Sequence, residues 1–305
     1  MTPSTTEAAV ILNPESGSGS HNAPVRQRAD ELGYRLVETG TDGDAVALAA
    51  AAAERGVSTL VAAGGDGTVN EGVRGVSRAD AFDRVTLGVV PVGTGNNFAK
   101  QLGITDVDTA FDAVESGERR RIDIGQASGY LFVNSCVAGL TADSSSRTSP
   151  EMKQRLGVLA YVVTTLRTVR DFESLRLTVT VDSRDGTEPV WSGDALSVLI
   201  GNARQFVPGK DGQADVEDGL FDVTVIEDIS VLNLMSDAVV ERLLGRESQN
   251  IVRFRTRSLS IEAHDPSSVR FSLDGEIRNE RSLTFESRPR TLSVAVGDGY
   301  TPSPD

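Results

Sequence analysis

Cysteine is nearly missing from this chain. Cys136 is the single one in 305 residues, so an intrachain disulfide is excluded and thiolate zinc sites fall away with it. Histidine is as sparse, with only His21 and His264, which removes histidine-rich metal centres. No run of 18 or more consecutive apolar residues occurs, so no membrane-spanning helix is expected. The opening MTPSTTEAAVILNP has no basic region ahead of its short apolar run, which reads as a first strand and not a signal peptide; a cytoplasmic location is the expectation. Lysine is scarce too: Lys100, Lys153 and Lys210 are the only three among 30 basic residues, against 44 acidic ones and a net charge of −14. Such a surface repels nucleic acid and anionic headgroups at low salt, so nucleic-acid binding is excluded as a function. The lysine-poor, Asp-rich composition is that of a halophilic protein, since at molar salt the screening length falls to about 3 Å. An ordinary acidic cytosolic protein is the alternative.

The first 125 or so residues alternate strand and helix. Ala8 to Asn13 is a short apolar run ending in a Pro-Gly-Ser loop, the pattern of a buried strand. A helix over Ala23–Leu32, capped by Asn22 and stopped by Gly33, precedes a strand over Tyr34–Val37. An Ala-rich helix over Asp44–Arg55 closes at Gly56. Strands over Thr59–Ala63 and Leu87–Val90, and helices over Val69–Val76, Phe98–Leu102 and Val107–Glu115, complete a βαβα series. The expected fold is therefore α/β, with a parallel sheet between helices. Beyond it, strands are expected at Leu131–Val137, Leu175–Val181, Ala195–Ile200, Phe221–Ile226, Ser258–Glu262, Val269–Leu273, Ser282–Phe285 and Leu292–Val296. Two helical segments, Gln154–Arg170 and Val231–Leu244, interrupt them, and the whole reads as an all-β, sandwich-like second domain. Gln154–Arg170 is either a lipid-facing helix or one buried against that sandwich. The expected division is residues 1–126, residues 127–300 and a frayed tail at 301–305.

Three glycine-rich loops each follow a strand of the first domain: Asn13-Pro14-Glu15-Ser16-Gly17-Ser18-Gly19, Gly64-Gly65-Asp66-Gly67-Thr68-Val69-Asn70-Glu71, and Pro91-Val92-Gly93-Thr94-Gly95-Asn96-Asn97-Phe98-Ala99. Loops that follow parallel strands gather at one edge of the sheet, where ligands bind. Glycine lets backbone N–H groups approach phosphate oxygens, and helix N-termini add partial positive charge. Neither G-x-x-x-x-G-K-[ST] nor G-x-G-x-x-G occurs; Gly209-Lys210 is followed by Asp211. A Walker-type NTPase and a standard dinucleotide-binding domain are thereby excluded. Asp66 stands among the phosphate-binding amides, where a carboxylate is repulsive unless a cation such as Mg²⁺ bridges it to phosphate; the other reading is an Asx-turn residue. Far downstream, Phe271-Ser272-Leu273-Asp274-Gly275-Glu276 is a strand and turn with two carboxylates. The bland reading is a hairpin turn; the functional one gives Glu276 a proton to accept and Asp274 a share of Mg²⁺.

The order and spacing of N-P-x-S-G, G-G-D-G-T-x-N-E, G-T-x-N and the late D-G-E resemble the diacylglycerol kinase catalytic-domain family of soluble lipid kinases, which includes sphingosine kinases. The resemblance runs from Asn13 to about Val296. It implies ATP and Mg²⁺ as cofactors, transfer of the γ-phosphoryl of ATP to a lipid hydroxyl at a membrane surface, peripheral membrane contact and a homodimer. Residue by residue it implies that Asn13, Pro14, Glu15, Ser16, Gly17 and Thr39 line the nucleotide. It implies that Gly64 to Glu71, with Gly93, Thr94, Gly95 and Asn96, hold the phosphates. Asp66 would organise the catalytic Mg²⁺, Asp123 would join its network between the domains, and Glu276 would be the general base with Asp274 beside it. A second, structural Mg²⁺ would take the carboxylate of Asp218 and the carbonyls of Asp215 and Leu220. The second domain would supply the lipid pocket. Two departures stand out: Asn97 where the family often has Asp, which keeps an oxygen acceptor but loses the charge, and Asp215 where relatives often have lysine. The G-G-D-G segment alone is shared with NAD kinases, which remain an alternative, as does a non-catalytic nucleotide-binding sensor.

Overall fold

The computed structural model describes residues 8–41, 43–139, 174–183, 186–206, 213–228, 250–264 and 268–303. The helices expected at Gln154–Arg170 and Val231–Leu244 lie outside the described residues. The chain divides into two compact units: Met1–Ile124 with Gln213–Asp218 and Arg288–Asp305, and Gly125–Gly212 with Gly219–Ser287.

The first unit is built on parallel strands β1 (Ala8–Leu12), β2 (Arg35–Glu38), β3 (Thr59–Gly64) and β4 (Thr86–Pro91). β1 pairs with β2 on one side and β3 on the other, and β3 continues to β4. The end of the long strand β15 (Ser282–Val296) joins parallel to β4 through Ser293 and Val294. All five residues of β1 are buried, as are Leu60–Ala63 and Leu87–Val90, because helices cover both faces of such a sheet. The helices are α1 (Asn22–Glu31), α2 (Asp44–Glu54), α3 (Asp66–Arg78), α4 (Asn97–Gln101) and α5 (Val107–Ser116). α2 and α3 approach closely at Gly75, where a Cβ would lie 2.3 Å from that of Ala49.

Boundaries depart from expectation in informative places. His21, not Asn22, occupies the cap position of α1; Asn22 is its first residue and donates to the Pro14 carbonyl at 2.9 Å. α3 starts at Asp66 and not Val69, so the second half of the glycine motif is the first turn of a helix. A ten-residue strand, β5 (Glu118–Ala127), which carries Asp123, was not anticipated at all. The tail expected to fray is tied at Thr301, whose N–H donates to Gln213 Oε1 at 2.7 Å.

The second unit is antiparallel and β-sandwich-like. Its strands are β6 (Tyr130–Phe132), β7 (Ser135–Gly139), β8 (Leu175–Ser183), β9 (Gly186–Gly201), β10 (Phe221–Glu227), β11 (Ile251–Thr256), β12 (Ser258–Ala263), β13 (Val269–Leu273) and β14 (Glu276–Glu280), with the first part of β15. β9 pairs with β8 along its first half and with β7 and β10 along its second. The single strand expected at Leu131–Val137 is broken into β6 and β7 at Val133-Asn134, and the two expected at Ser282–Phe285 and Leu292–Val296 are one, β15. Alternate residues point inward to a core centred on Phe132, Phe221, Phe271 and Phe285, all fully buried. Phe132 packs against Phe221 at 5.7 Å between ring centres and edge-on against Phe285 at 6.4 Å.

Candidate active site

The sheet order of the first unit reverses at β1. The chain leaves β1 for β2 on one side and returns to β3 on the other, so the crevice at the carboxyl ends of β1 and β3 is a topological switch point, where open α/β sheets bind ligands. The three glycine loops emerge from β1, β3 and β4, three neighbours in the sheet, and they touch one another. Gly17, at φ +64°, lies so close to the third loop that a Cβ would fall 2.4 Å from the Val92 carbonyl oxygen. At Gly93 a Cβ would fall 2.4 Å from Gly65 Cα. Neither position tolerates a side chain without moving a backbone.

Side chains lock the loops in register. Asn13 Nδ2 donates to Thr68 Oγ1 at 3.2 Å, tying the first loop to the second, while its Oδ1 accepts from Glu15 N at 3.1 Å. Asn96, in the left-handed region at φ 49°, closes the third loop on itself: Oδ1 accepts from Gly93 N at 3.0 Å and Nδ2 donates to Gly93 O at 2.8 Å. Asp66 joins the second loop to the third. Its Oδ2 accepts from Asn97 N and Asn97 Nδ2, each at 3.1 Å, and its Oδ1 accepts from Phe98 N at 2.9 Å. Asn97 therefore bonds directly to the carboxylate beside which a second carboxylate would be repelled. Thr68 and Asn70 are buried, and Asn70 Oδ1 has no hydrogen-bond partner among the described residues. The first N–H groups of α3 have no intrahelical acceptor, so they and the helix dipole favour an anion at this loop. Thr39 follows β2 and donates its N–H to Leu12 O at 2.9 Å. Next to it, Asp44 accepts from Thr41 N and Gly40 N, and these bonds hold its carboxyl below the usual range.

Among the described residues, no three His, Cys, Asp or Glu side chains cluster as a metal cage. The donor set suits a cation that arrives with its nucleotide: Mg²⁺ needs one or two carboxylates when phosphates and waters supply the rest. Asp66 at the start of α3 fits that part.

Asp123 on β5 is 1% exposed. Its Oδ1 accepts from Arg290 N at 2.7 Å and its own N–H donates to Val216 O at 2.7 Å, so it ties β5, β15 and the segment Gln213–Asp218 together. That segment is held at several more points. Gln101 makes a reciprocal pair with the backbone of Ala214, at 2.7 and 2.8 Å. Glu217 accepts two bonds from Arg120, both at 2.8 Å, and one from Tyr300 at 2.8 Å. Burial raises the Glu217 carboxyl, but the Arg120 and Tyr300 bonds and the Arg120 and Arg290 charges outweigh it and hold the group below its ordinary value. Tyr300 is pushed up, first by burial and then by its bond to Glu217. Asp215 Oδ1 accepts from Glu217 N at 3.0 Å. Asp215 and Asp218 belong to the first unit, and Leu220 to the second.

In the second unit, Asp274 (φ 48°) and Gly275 (φ 100°) form the two-residue turn joining β13 to β14, the left-handed pair that tight hairpins require. The Asp274 carboxylate accepts from three successive backbone N–H groups at the β6–β7 break: Val133 at 2.6 Å, Asn134 at 3.0 Å and Ser135 at 2.8 Å. Glu276, the next residue but one, receives Arg278 Nη2 at 2.7 Å, and the Arg278 guanidinium lies 4.8 Å over the ring of exposed Tyr130. Cys136 beside this turn is fully buried; burial and then the Asp274 charge push its thiol well up, which makes it unreactive. Sequence reasoning missed Arg278, Tyr130, Arg120, Glu217 and Tyr300. The one local signal was the carboxylate of Glu276 two residues from an arginine on one strand face.

Fold and loops together define a two-unit protein with a nucleotide-type α/β unit and a β-sandwich-like unit. The diacylglycerol kinase catalytic domain matches residues 7–127, and the YegS C-terminal NAD kinase beta sandwich-like domain matches residues 134–296. The chain is 32% identical over 302 residues to the diacylglycerol kinase of Bacillus subtilis, covering 95% of this chain and 96% of that one. It is also 32% identical over 295 residues to a Pseudomonas aeruginosa protein described as a probable lipid kinase YegS-like, covering 95% and 94%. A crystal structure of a diacylglycerol kinase from Bacillus anthracis superposes with a TM-score of 0.71 at 19% identity, covering 97% of this chain and 98% of that one, a likeness of fold. The chain belongs to the diacylglycerol kinase and YegS lipid kinase family.

Proposed function

We propose that this protein transfers the γ-phosphoryl group of ATP to the hydroxyl of a membrane lipid, diacylglycerol or a related alcohol. The observation that carries the reading is the set of three interlocked glycine loops at a sheet switch point, fixed by the Asn13–Thr68 and Asp66–Asn97 bonds. In this reading the α3 N–H groups and the amides of Gly93 to Asn96 hold the triphosphate, and Asn13, Ser16 and Thr39 face the nucleoside. The Glu276 carboxylate takes the proton of the acceptor hydroxyl as its oxygen bonds to the γ-phosphorus; the bond to the β-phosphate oxygen breaks and ADP leaves with that electron pair. Bound Mg²⁺ would neutralise charge that develops on the phosphates, with Asp66 as its protein ligand and a structural ion at Asp215, Asp218 and Leu220. Asp123 braces the segment that carries Asp215 and Asp218. No described helix is long and apolar enough to cross a membrane; in this reading the lipid is met at the membrane surface.

The test is ATP- and Mg²⁺-dependent labelling, at low and molar salt, of diacylglycerol, of an extracted lipid pool and of NAD in parallel. A labelled lipid that vanishes in Asp66→Ala and Glu276→Gln is the expected result. Labelled NADP without labelled lipid would reassign the chain to NAD phosphorylation, and no product with intact ATP binding would make it a sensor.

A further inference from the structure

The described cations divide between carboxylate and carbonyl partners: Arg26 meets Glu38, Arg120 meets Glu217 and Arg255 meets Asp222, whereas Arg84 donates to the carbonyls of Ala79 and Asp80 and Arg119 to those of Ala113 and Gly117. Lys100 is of the second kind, and it differs in where its carbonyl lies: on the third glycine loop. It is the one lysine among the described residues, and no described carboxylate lies in ion-pair reach of it. Its ammonium instead donates to the carbonyl of Gly95 at 3.1 Å.

The direction of that bond is informative. Lys100 sits near the end of α4, where a lysine helps most by meeting the last carbonyls of the helix. Its side chain runs the other way, back over the start of α4 and onto the third glycine loop. Gly95 there abuts Asp66: a Cβ on Gly95 would be 3.2 Å from Asp66 Oδ2. An ammonium has three N–H donors, and one is engaged. A full positive charge with two spare donors is thus parked on the rim of the phosphate-type loops, in a protein whose overall field repels anions. Loop amides supply only partial charges, so beside the Mg²⁺ that would arrive with the nucleotide, Lys100 is the full positive charge that the protein itself places on this loop.

We propose that Lys100 contacts the phosphate oxygens of the bound nucleotide and is the side-chain cation by which the site prefers a polyphosphate to a nucleoside. The inference rests on the nucleotide reading of the glycine loops. Lys100 is exposed, so its replacement leaves the fold intact.

Two measurements on the full chain test it. The first is amine acylation with an N-hydroxysuccinimide ester, read peptide by peptide, with Lys153 and Lys210 as internal references. With MgATP or MgADP at saturation, Lys100 labelling should fall about tenfold, and adenosine should leave it unchanged. The second is equilibrium binding of a fluorescent ATP analogue to wild type, Lys100→Gln and Lys100→Arg, with melting temperatures as the fold control. Lys100→Gln should bind about tenfold or more weakly, the size of one charge-assisted contact, while Lys100→Arg stays within about threefold and adenosine affinity does not move. Wild type and Lys100→Gln binding ATP alike, with Lys100 labelled alike in its presence, would overturn the role of Lys100 and leave the nucleotide site standing. A wild-type chain that binds no ATP at all would overturn both.

Discussion

Replacing Asp274 by Asn separates two roles that its place in D-G-E confounds. The residue sits at φ 48°, a conformation that Asn adopts as readily as Asp, so the exchange carries no backbone penalty of its own. It changes what the side chain offers three N–H groups. The carboxylate presents Oδ2 to Val133 N at 2.6 Å and Oδ1 to Asn134 N at 3.0 Å and Ser135 N at 2.8 Å. An amide keeps one acceptor and turns an NH₂ donor toward the remaining N–H. Bonds to a charged acceptor contribute about 1.5–3 kcal/mol each. Losing one or two and weakening the rest should cost about 3 kcal/mol. For a unit of this size that is a fall of about 6–12 °C in Tm.

The assay is thermal and urea unfolding of wild type, Asp274→Asn and Asp274→Ala, with lipid kinase activity normalised to the folded fraction. The expected order of stability is wild type, then Asn, then Ala, with activity following the integrity of the hairpin that carries Glu276. An Asp274→Asn protein that melts within about 2 °C of wild type would refute the reasoning, because three short bonds to a carboxylate cannot then be holding the β6–β7 break. If that same protein were inactive, Asp274 would have to act directly in the chemistry.

The Glu217 cluster makes a pH prediction. Its carboxyl is depressed below about 4.5, so the stability it contributes is present above that pH and is lost as pH falls through the lower folded value. Arg120→Ala leaves Glu217, with a side chain 12% exposed, facing burial with the Tyr300 bond and the Arg290 charge but without its two-bond partner; it should cost about 2–4 kcal/mol at pH 7 and flatten the acid limb, read as Tm at pH 4 and pH 7. Gly17→Ala forces a Cβ against the Val92 carbonyl and should weaken ATP binding about tenfold or more with a fall of only a few degrees in Tm, checked by nucleotide titration. Arg278→Ala should change Tm by less than about 2 °C, since that pair is about one-third exposed, yet lower kcat with the KM for ATP unmoved, because Glu276 loses its anchor.

What the sequence revealed of this fold follows the range over which each signal acts. The buried parallel strands were legible because AAVIL, LVAA and LGVV are continuous apolar runs that lead into glycine-rich loops. β5 was not, since Glu118 to Arg121 are four charged residues in succession and the buried stretch that begins at Ile122 is interrupted by Asp123, Gly125 and Gln126. β11 and β14, IVRFRT and EIRNE, lack the fully buried alternate positions that mark an inner strand. The segment Gln213–Asp218 is flanked on both sides by residues of the second unit but belongs to the first, fixed by Gln101 at a separation of 113 residues; no local pattern encodes that.

The candidate site shows the same division, and it bears on how its acids are read. The motif spacing brings Asp66, Asp274 and Glu276 forward as chemical groups of one kind. Their surroundings make them different. Asp274 precedes a glycine at positive φ and closes a hairpin, so its carboxylate answers three amides 139 to 141 residues away in the chain. Asp66 begins a helix and also receives the start of another, so part of its charge is used in holding two loops together. Glu276 accepts from the side chain of Arg278, whose guanidinium itself rests on an exposed ring. A group held by backbone amides can be altered only by deforming the fold, whereas one held by a surface side chain can exchange that partner for a proton or a substrate. In the role proposed for it, Glu276 would exchange Arg278 for the proton of the acceptor hydroxyl.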